Sequence, residues 1–559
     1  VSQRAANRRI RLLGAALALA LAIALARAGW IQVVRASSLA TLAVAQQTQT
    51  LPVPAPRGVI FDRNGVQLAA NEDSKTISAD PKFVKSPATE AQRAAAVLGL
   101  DQQAEAALLG ALSDRSKGFV YVARQAPLAK ANRLERMKLA GFDYRIEPKR
   151  VYPQGKLAAQ TIGFAGIDNL GLAGLEVEYD KSLTGRNGKQ TVVKDPAGHT
   201  IDMRSATSEK AGADLTLTID DTIQLYVQQV LAETRKASQA RSASAVVLDP
   251  HTGEVLAMAT APTYNANSFS DTSFQQQLNR PVTDAYEPGS TFKLVTVAGA
   301  LSDGRVTPQT SFTLPYSIKV ADKPIHDSHP RATERMSVSK ILTESSNVGA
   351  VTISKLLGAE RLAYWIKRFG FGAKTGIDFP GESMGIVKPL DQWYGSDEGT
   401  IPIGQGIAVT SIQLAAAYAA IANKGVWLEP HLVARVGSKS APPAKRRRVV
   451  TAAVAEQLMT MFGDVVDKGT GTEAEIPNYS VAGKTGTAQK PDSTGHYSAS
   501  KYLASFVGIV PASDPRLVIL VTVDEPRGAI WGGSVAAPAF KQIALDCLRY
   551  LLITPDRPS

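Results

Sequence analysis

Only one cysteine, Cys547, stands among the 559 residues, so no intrachain disulfide can form and the chain gives no redox clue to its compartment. Histidine is nearly as scarce, with six residues. The close-set His326-Asp327-Ser328-His329 has ligand types but no evident third and fourth ligands, which favours a structural role over a metal site. Aromatic residues make up 6% of the chain, and no basic motif interleaved with them accompanies the net charge of +12. Nucleic-acid binding is therefore not implied, and a basic face near an anionic membrane or polymer accounts for the charge as well. Gly483-Lys484-Thr485 echoes the end of a phosphate-binding loop, but Asn478 stands where that loop needs glycine, so no nucleotide is implied. Lys445-Arg446-Arg447-Arg448, beside Pro442-Pro443, reads as a solvated loop run. No internal repeat is evident.

Long apolar runs are absent except at the N-terminus. Leu12 to Ala26 is unbroken Ala, Leu, Ile and Gly, and the apolar stretch resumes after Arg27 as far as Val34. That length spans a bilayer, with Trp30 suited to the interface. Arg4, Arg8, Arg9 and Arg11 precede the span and only Arg35 lies close behind it, so the positive-inside bias puts residues 1–11 in the cytoplasm and the bulk of the chain outside. A cleaved signal peptide competes, because Ala24-Leu25-Ala26 has the small-residue cleavage pattern. The resumed apolar stretch favours a retained anchor over residues 12–34, and either way the rest is exported.

At this length more than one core is expected. Residues 35–212 mix short strands, turns and helical patches, among them Ala91 to Leu112 and Leu128 to Ala140. They carry no catalytic constellation and read as a pedestal. From Asp214 the pattern sharpens: a strand at Leu215–Ile219, a helix from about Asp221, strands at Ala245–Leu248 and Glu254–Ala259, then Tyr502–Val510, Arg516–Val523 and a helix at Ala536–Leu552. Strands enclosing a helical region predict an α+β domain over 213–555 with an antiparallel sheet flanked by helices.

Within that domain Ser290 and Lys293 stand three residues apart where a helix should begin. The lead-in Pro288-Gly289 is a loop signal, and Leu294 onwards has the apolar content of a buried helix. One helical face then carries a hydroxyl and an amine that can take its proton, beside N–H groups that favour an oxyanion. Ser-x-x-Lys also occurs at Ser337–Lys340 and Ser498–Lys501, but neither has this lead-in. Ser345-Ser346-Asn347 supplies a hydroxyl and an amide inside an apolar segment. Lys484-Thr485-Gly486-Thr487 precedes two strand-like runs, and on a strand edge its cation and hydroxyls can hold a carboxylate while the glycine lets an extended peptide come close. Lys374-Thr375-Gly376 repeats the pattern in a Gly-punctuated stretch with loop character.

In the order Ser290-x-x-Lys293, Ser345-x-Asn347, Lys484-Thr485-Gly486, the chain resembles the penicillin-recognising serine acyl transferases. The flanking Arg57-Gly58-Val59-Ile60-Phe61-Asp62-Arg63-Asn64-Gly65, Tyr152-Pro153-Gln154-Gly155, Gly174-Leu175-Glu176 with Tyr179-Asp180, and Gly404-Gln405-Gly406-Ile407 look like a class B penicillin-binding protein. Ile162 to Asp168 through Glu176, with no C-terminal repeat modules, is most similar to the division-specific type. The resemblance implies a transpeptidase domain on a dimerisation-type pedestal and peptidoglycan D,D-transpeptidation through an acyl-enzyme on Ser290, with β-lactams as inhibitors. It implies Lys293 as base, its pKa lowered by burial and by Lys484, Ser345 as proton relay and Asn347 as a substrate-amide ligand. Lys484, Thr485 and Thr487 would hold the terminal carboxylate, and the backbone N–H groups of Ser290 and Thr487 would form the oxyanion hole. No cofactor or metal is called for. Expected partners are stem peptides, membrane lipid, a polytopic glycan polymerase and other division proteins. An elongation-type transpeptidase, a β-lactamase, a β-lactam sensor and a non-catalytic division scaffold share parts of this pattern. Against the sensor stands a cytoplasmic tail of barely a dozen residues, and against the scaffold stand the intact Ser290 and Lys293.

Overall fold

The most buried strands are rich in Val, Ile, Leu and Ala with small polar residues between, a composition that suits burial on both faces, and they build the sheet that carries the motifs. The computed structural model describes residues 3–194, 200–492, 494 and 496–557. The chain forms two units that interleave in sequence, one of residues 1–56, 73–148 and 185–211 and the other of 57–72, 149–184 and 212–559. Segments 57–72 and 149–184 thus lie with the motif-bearing unit, although the sequence reading set them before its boundary at 212.

In the larger unit, α1 (Asp221–Ala237) starts where Asp220 accepts from the N–H groups of Thr222 and Ile223, an N-cap that satisfies free helix donors. It leads into β1 (Ser242–Leu248) and β2 (Val255–Ala261), every residue of which is buried. Later come β3 (Ala482–Pro491), β4 (Tyr497–Val510) and β5 (Leu517–Asp524). The order is β2-β1-β5-β4-β3, antiparallel throughout, which leaves β3 at an edge. Alternation along the strands sorts side chains to two cores: Val246, Val507, Ile509, Val518 and Leu520 on one face, Val247, Phe506, Ile519 and Val521 on the other. The second face is covered by α1 and α6 (Gly532–Tyr550). The first packs against α2 (Lys293–Ser302), α4 (Ser411–Ala422) and α5 (Ala452–Lys468), with α3 (Asn347–Leu357) beyond. The α+β architecture is as expected.

The same unit holds a buried ion cluster. Glu176, fully buried, accepts from Arg57 Nε at 2.5 Å and from Arg150 Nε at 2.7 Å, and Arg57 reaches Asp180 at 2.7 Å. Asp62 accepts from the N–H groups of Asn64 and Val66, closing the turn within Arg57–Gly65. The motif is thus a turn with paired charges, and Arg57, 1% exposed, sits inside the fold.

The smaller unit contains a three-stranded antiparallel sheet of Thr48–Val53, Gly188–Lys194 and Thr200–Thr207. In a second element, residues 74–79 pair with Val120–Pro127, and Ile77, Ala94, Leu98, Leu112, Val120 and Leu134 form a core. The helical stretch expected at Ala91–Leu112 is two helices, Pro87–Leu98 and Gln102–Ser113. Gly99 ends the first at φ 77°, and Asp101 caps the second. The helix expected at Leu128–Ala140 stops at Glu135. At the N-terminus Gln3–Gly29 is helical and continues through Trp30–Val34, a stretch of 32 residues long and apolar enough to cross a membrane.

Candidate active site

Pro288-Gly289 directs the chain into a single 3₁₀ turn, Gly289–Phe292, that runs straight into α2, so Ser290 lies on the turn and Lys293 opens the helix. The turn is clamped on all sides. Gly289 has φ 55°, and a Cβ there would sit 2.9 Å from the carbonyl oxygen of Thr487 on β3. Gly289 N–H donates to Gly404 O at 3.1 Å, Tyr418 Oη donates to Thr291 O at 2.8 Å, and Thr296 Oγ1 donates to Pro402 O at 3.0 Å. A side chain on Gly404 would strike the Gly289 carbonyl, so the Gly404-Gln405-Gly406 segment works by close backbone approach.

Lys293 is fully buried among apolar α2 neighbours. Its Nζ donates to Ser345 O at 2.6 Å and Asn347 Oδ1 at 2.8 Å and lies 3.3 Å from Ser345 Oγ. Desolvation, then the nearby Lys484, hold its pKa well below the ordinary lysine value, and Asp327 opposes them. A neutral amine has two hydrogens and one lone pair. The two close acceptors take the hydrogens, and the lone pair is left for a hydroxyl. Ser290 Oγ is not among the hydrogen-bond partners of Nζ, a departure from the direct contact the spacing suggested; the amine is engaged by the Ser345–Asn347 step instead.

That step is conformationally unusual. Ser345 has φ 59°, a left-handed backbone that costs a non-glycine residue about 1–2 kcal/mol. Ser346, buried at 2% exposure, caps α3 by accepting from Gly349 N–H.

Lys484 is fully buried on β3 and does not line the cavity. Its Nζ lies 3.3 Å from Thr485 Oγ1, and burial pushes its pKa down to about 7. The expectation that Lys484 contacts a carboxylate directly is therefore modified: the groups at the surface are Thr485 and Thr487, with the amine behind them. Thr485 Oγ1 meets Thr470 Oγ1 at 2.8 Å, and Thr487 Oγ1 accepts from Gly532 N–H at 3.0 Å. Gly486 differs more. A Cβ on it would strike Ser505 Oγ and come within 2.8 Å of Pro288 O and 3.0 Å of Thr291 Cγ2, so the packing of the Ser290 turn against β3 and β4 by itself demands glycine here.

A cavity of about 420 Å³ opens over these groups, lined by Ser290, Ser345, Asn347, Thr485 and Thr487, with Gln405, Thr470 and Trp531 at its walls. Three stretches of chain, 290–293, 345–347 and 484–487, thus converge. The alternative motifs do not. Ser337 caps a short helix by accepting from Lys340 N–H, and Lys340 pairs with Glu334 and Glu344. Ser498 lies on β4, where its hydroxyl accepts from the N–H groups of Ser500 and Lys501. Lys374-Thr375-Gly376 is a loop whose Thr375 is bound to Glu382. His326-Asp327 proves structural: Asp327 caps α3, and among the described residues no group of three or more metal-ligating side chains occurs. The Lys445–Arg448 loop is corrected, since Arg446–Arg448 is a strand paired with Val426–Leu428 and Arg447 lies over the Trp427 ring at 4.5 Å.

Residues 243–545 match the penicillin-binding protein transpeptidase domain, and residues 52–217 match the penicillin-binding protein dimerisation domain. The chain belongs to the penicillin-binding protein transpeptidases. Among its relatives in that family is the peptidoglycan D,D-transpeptidase FtsI of Escherichia coli (strain K12), 35% identical over 541 residues, covering 95% of this chain and 90% of that protein. The penicillin-binding protein PbpB of Mycobacterium tuberculosis is 35% identical over 549 residues, covering 92% and 81%. The crystal structure of penicillin-binding protein 3 from Mycobacterium tuberculosis, complexed with aztreonam, superposes with a TM-score of 0.72 at 30% identity, over 91% of this chain and 99% of that one. The three stretches that meet at the cavity all lie within the matched residues 243–545.

Proposed function

We propose that this chain is a peptidoglycan D,D-transpeptidase that crosslinks stem peptides through an acyl-enzyme on Ser290, in septal wall synthesis. The observation that carries the reading is a desolvated amine, Lys293, held by Ser345 and Asn347 beside a cavity that also exposes Ser290, Thr485 and Thr487. Neutral Lys293 takes the Ser290 hydroxyl proton as the oxygen attacks the carbonyl between the two terminal D-alanines. The oxyanion is held by the N–H groups of Ser290 and Thr487; the Thr487 backbone lies against Gly289, within reach of this role. The C–N bond breaks as the proton passes from Lys293 through Ser345 Oγ to the leaving nitrogen, and D-alanine departs. An acceptor amine then attacks the ester carbonyl, its proton returns along the same path to the Ser290 oxygen, and a new amide is released. Asn347 binds the donor amide. The terminal carboxylate rests on Thr485 and Thr487, with Lys484 behind them. In a β-lactam the leaving nitrogen stays tethered to the acyl group, so the adduct persists.

The arginine-rich tail stays in the cytoplasm, Leu12–Val34 anchors the chain, residues 35–212 act as pedestal and 213–555 work outside. The anchor and pedestal engage a polytopic glycan polymerase and other division proteins. The name of the Escherichia coli relative, peptidoglycan D,D-transpeptidase, supports the reaction, and the likeness of Ile162 to Glu176 to the division-specific type supports the septal setting.

The test uses the full chain in detergent with a pentapeptide-bearing donor and an amine acceptor. D-alanine release together with a crosslinked product, both lost in Ser290→Ala, is the expected result. Hydrolysed donor without crosslink would replace this reading with a hydrolase, and no D-alanine release would replace it with a scaffold.

A further inference from the structure

Asp327, outside the three motifs, accepts hydrogen bonds from the residues that follow Ser345. Its Oδ1 accepts from Asn347 N–H at 2.6 Å, Val348 N–H at 3.0 Å and Ser346 Oγ at 3.0 Å. Its Oδ2 accepts from Arg331 Nη2 at 2.7 Å and Nε at 2.9 Å. The carboxylate is 6% exposed. Arg331 is itself fixed by the carbonyls of Leu314 and Pro315, at 2.8 and 3.2 Å. Next door, His326 O accepts from Asn347 Nδ2 at 2.9 Å. A carbonyl can only accept, so this bond turns the amide oxygen of Asn347 toward the Lys293 amine.

We infer that Asp327 is a positioning residue for the acylation step: with Arg331 behind it, it clamps the start of α3 and holds Ser345 in its left-handed conformation, which aims Ser345 O, Ser345 Oγ and Asn347 Oδ1 at Lys293. The reasoning is mechanical. A non-glycine residue at φ 59° persists only where its surroundings over-determine it. Ser345 is followed by three residues whose backbone or hydroxyl donors end on one carboxylate, at the helix N-terminus, where a negative charge is favoured. Without that carboxylate those donors are buried and unpaired, and the turn relaxes at its costliest residue. The three oxygens that surround the Lys293 amine then lose their common geometry.

The inference rests on the transpeptidase reading of Ser290 and Lys293. It adds an electrostatic consequence that a merely structural cap would lack. The charged groups facing the Lys293 amine are Lys484 from β3, which lowers its proton affinity, and Asp327 from the loop after the strand Lys323–His326, which raises it; Arg331 faces Asp327. Neutralising Asp327 makes the amine easier to deprotonate.

Asp327→Asn keeps an acceptor at the helix start but removes the charge, and Asp327→Ala removes both. The full chain is treated with a fluorescent penicillin from pH 5 to 9, and the second-order acylation rate is followed beside the thermal midpoint. Asp327→Asn is expected to lower the maximal rate on the order of ten-fold, the scale of one lost charge-assisted contact, and to move the acid limb of the profile to lower pH. Asp327→Ala is expected to fall further. A limb that stays in place while only stability drops would overturn the proposal, as would a rate within two-fold of the parent at every pH. If Asp327→Ala fails to fold, Asp327→Asn and Arg331→Lys carry the test. Failure of the parent chain itself to label would instead indict the Ser290 assignment.

Discussion

Gly486→Ala is the sharpest single-atom test of how the site is assembled. The added methyl group has no free direction, because its Cβ would strike Ser505 Oγ on β4 and lie 2.8 Å from Pro288 O and 3.0 Å from Thr291 Cγ2. Ordinary contact begins near 3.4 Å, so the Pro288 carbonyl must retreat by about 0.6 Å. Pro288 leads directly into the Ser290 turn, and that turn is pinned on its other side by Gly404 O and Tyr418 Oη, so the displacement falls on the nucleophile. Overpacking of this kind costs about 1–3 kcal/mol of stability. A misplacement near 1 Å costs up to about 100-fold in rate, so a decline of roughly ten- to 100-fold in penicillin acylation is expected for this smaller shift. Stopped-flow labelling of the full chain reads the rate, and a denaturant midpoint reads the stability. Gly463→Ala serves as control, since nothing lies within 4 Å of its Cβ and it sits inside α5. It should acylate normally and gain up to about 1 kcal/mol. A Gly486→Ala protein that acylates within two-fold of the parent would refute the idea that the glycine is there for the Ser290 turn.

Glu176→Ala leaves the buried guanidinium groups of Arg57 and Arg150 without their shared carboxylate, and should destabilise the larger unit by about 3–5 kcal/mol, read as a lowered denaturant midpoint. The donor carboxylate should be gripped most tightly below pH 7. Lys484, with its pKa pushed down to about 7, is charged below that value and neutral above it, so KM for a carboxylate-ended donor should rise as pH passes 7, while an amidated donor shows no such rise. Thr485→Val should raise KM for the carboxylate-ended donor on the order of ten-fold by removing a hydroxyl from the cavity wall, and a comparable loss with the amidated donor would contradict the assigned role.

The parts of the site that could be read from the sequence are those where chemistry is local. Ser290 and Lys293 share one turn, and Pro288-Gly289 announces it. The edge position of Lys484-Thr485-Gly486 follows from the strand runs after it, and the buried strands betray themselves by their density of Val, Ile, Leu and Ala. What could not be read depends on partners far along the chain. Asp327 looked like one member of a poor ligand cluster because its partners, Ser346 to Val348, lie some twenty residues on. The burial of Arg57 is not legible locally, because its partner Glu176 is 119 residues away. The packing demand for glycine at 486 is invisible in the sequence because the carbonyl that excludes a side chain there, Pro288 O, belongs to the other motif. Arg446–Arg448 read as a loop because its strand partner, Val426–Leu428, lies about twenty residues upstream. The break at Gly99 was visible in principle, since a glycine followed by Asp101 is a helix stop and restart.

The claim beneath all of this is that Ser290 is the atom acylated and Lys293 the base that makes it reactive. Peptide mapping of the full chain after a short exposure to benzylpenicillin tests it most directly. The account predicts one adduct, on the peptide containing Ser290, absent in Ser290→Ala and slowed by orders of magnitude in Lys293→Met. An adduct on another residue, or undiminished labelling in Lys293→Met, would contradict it.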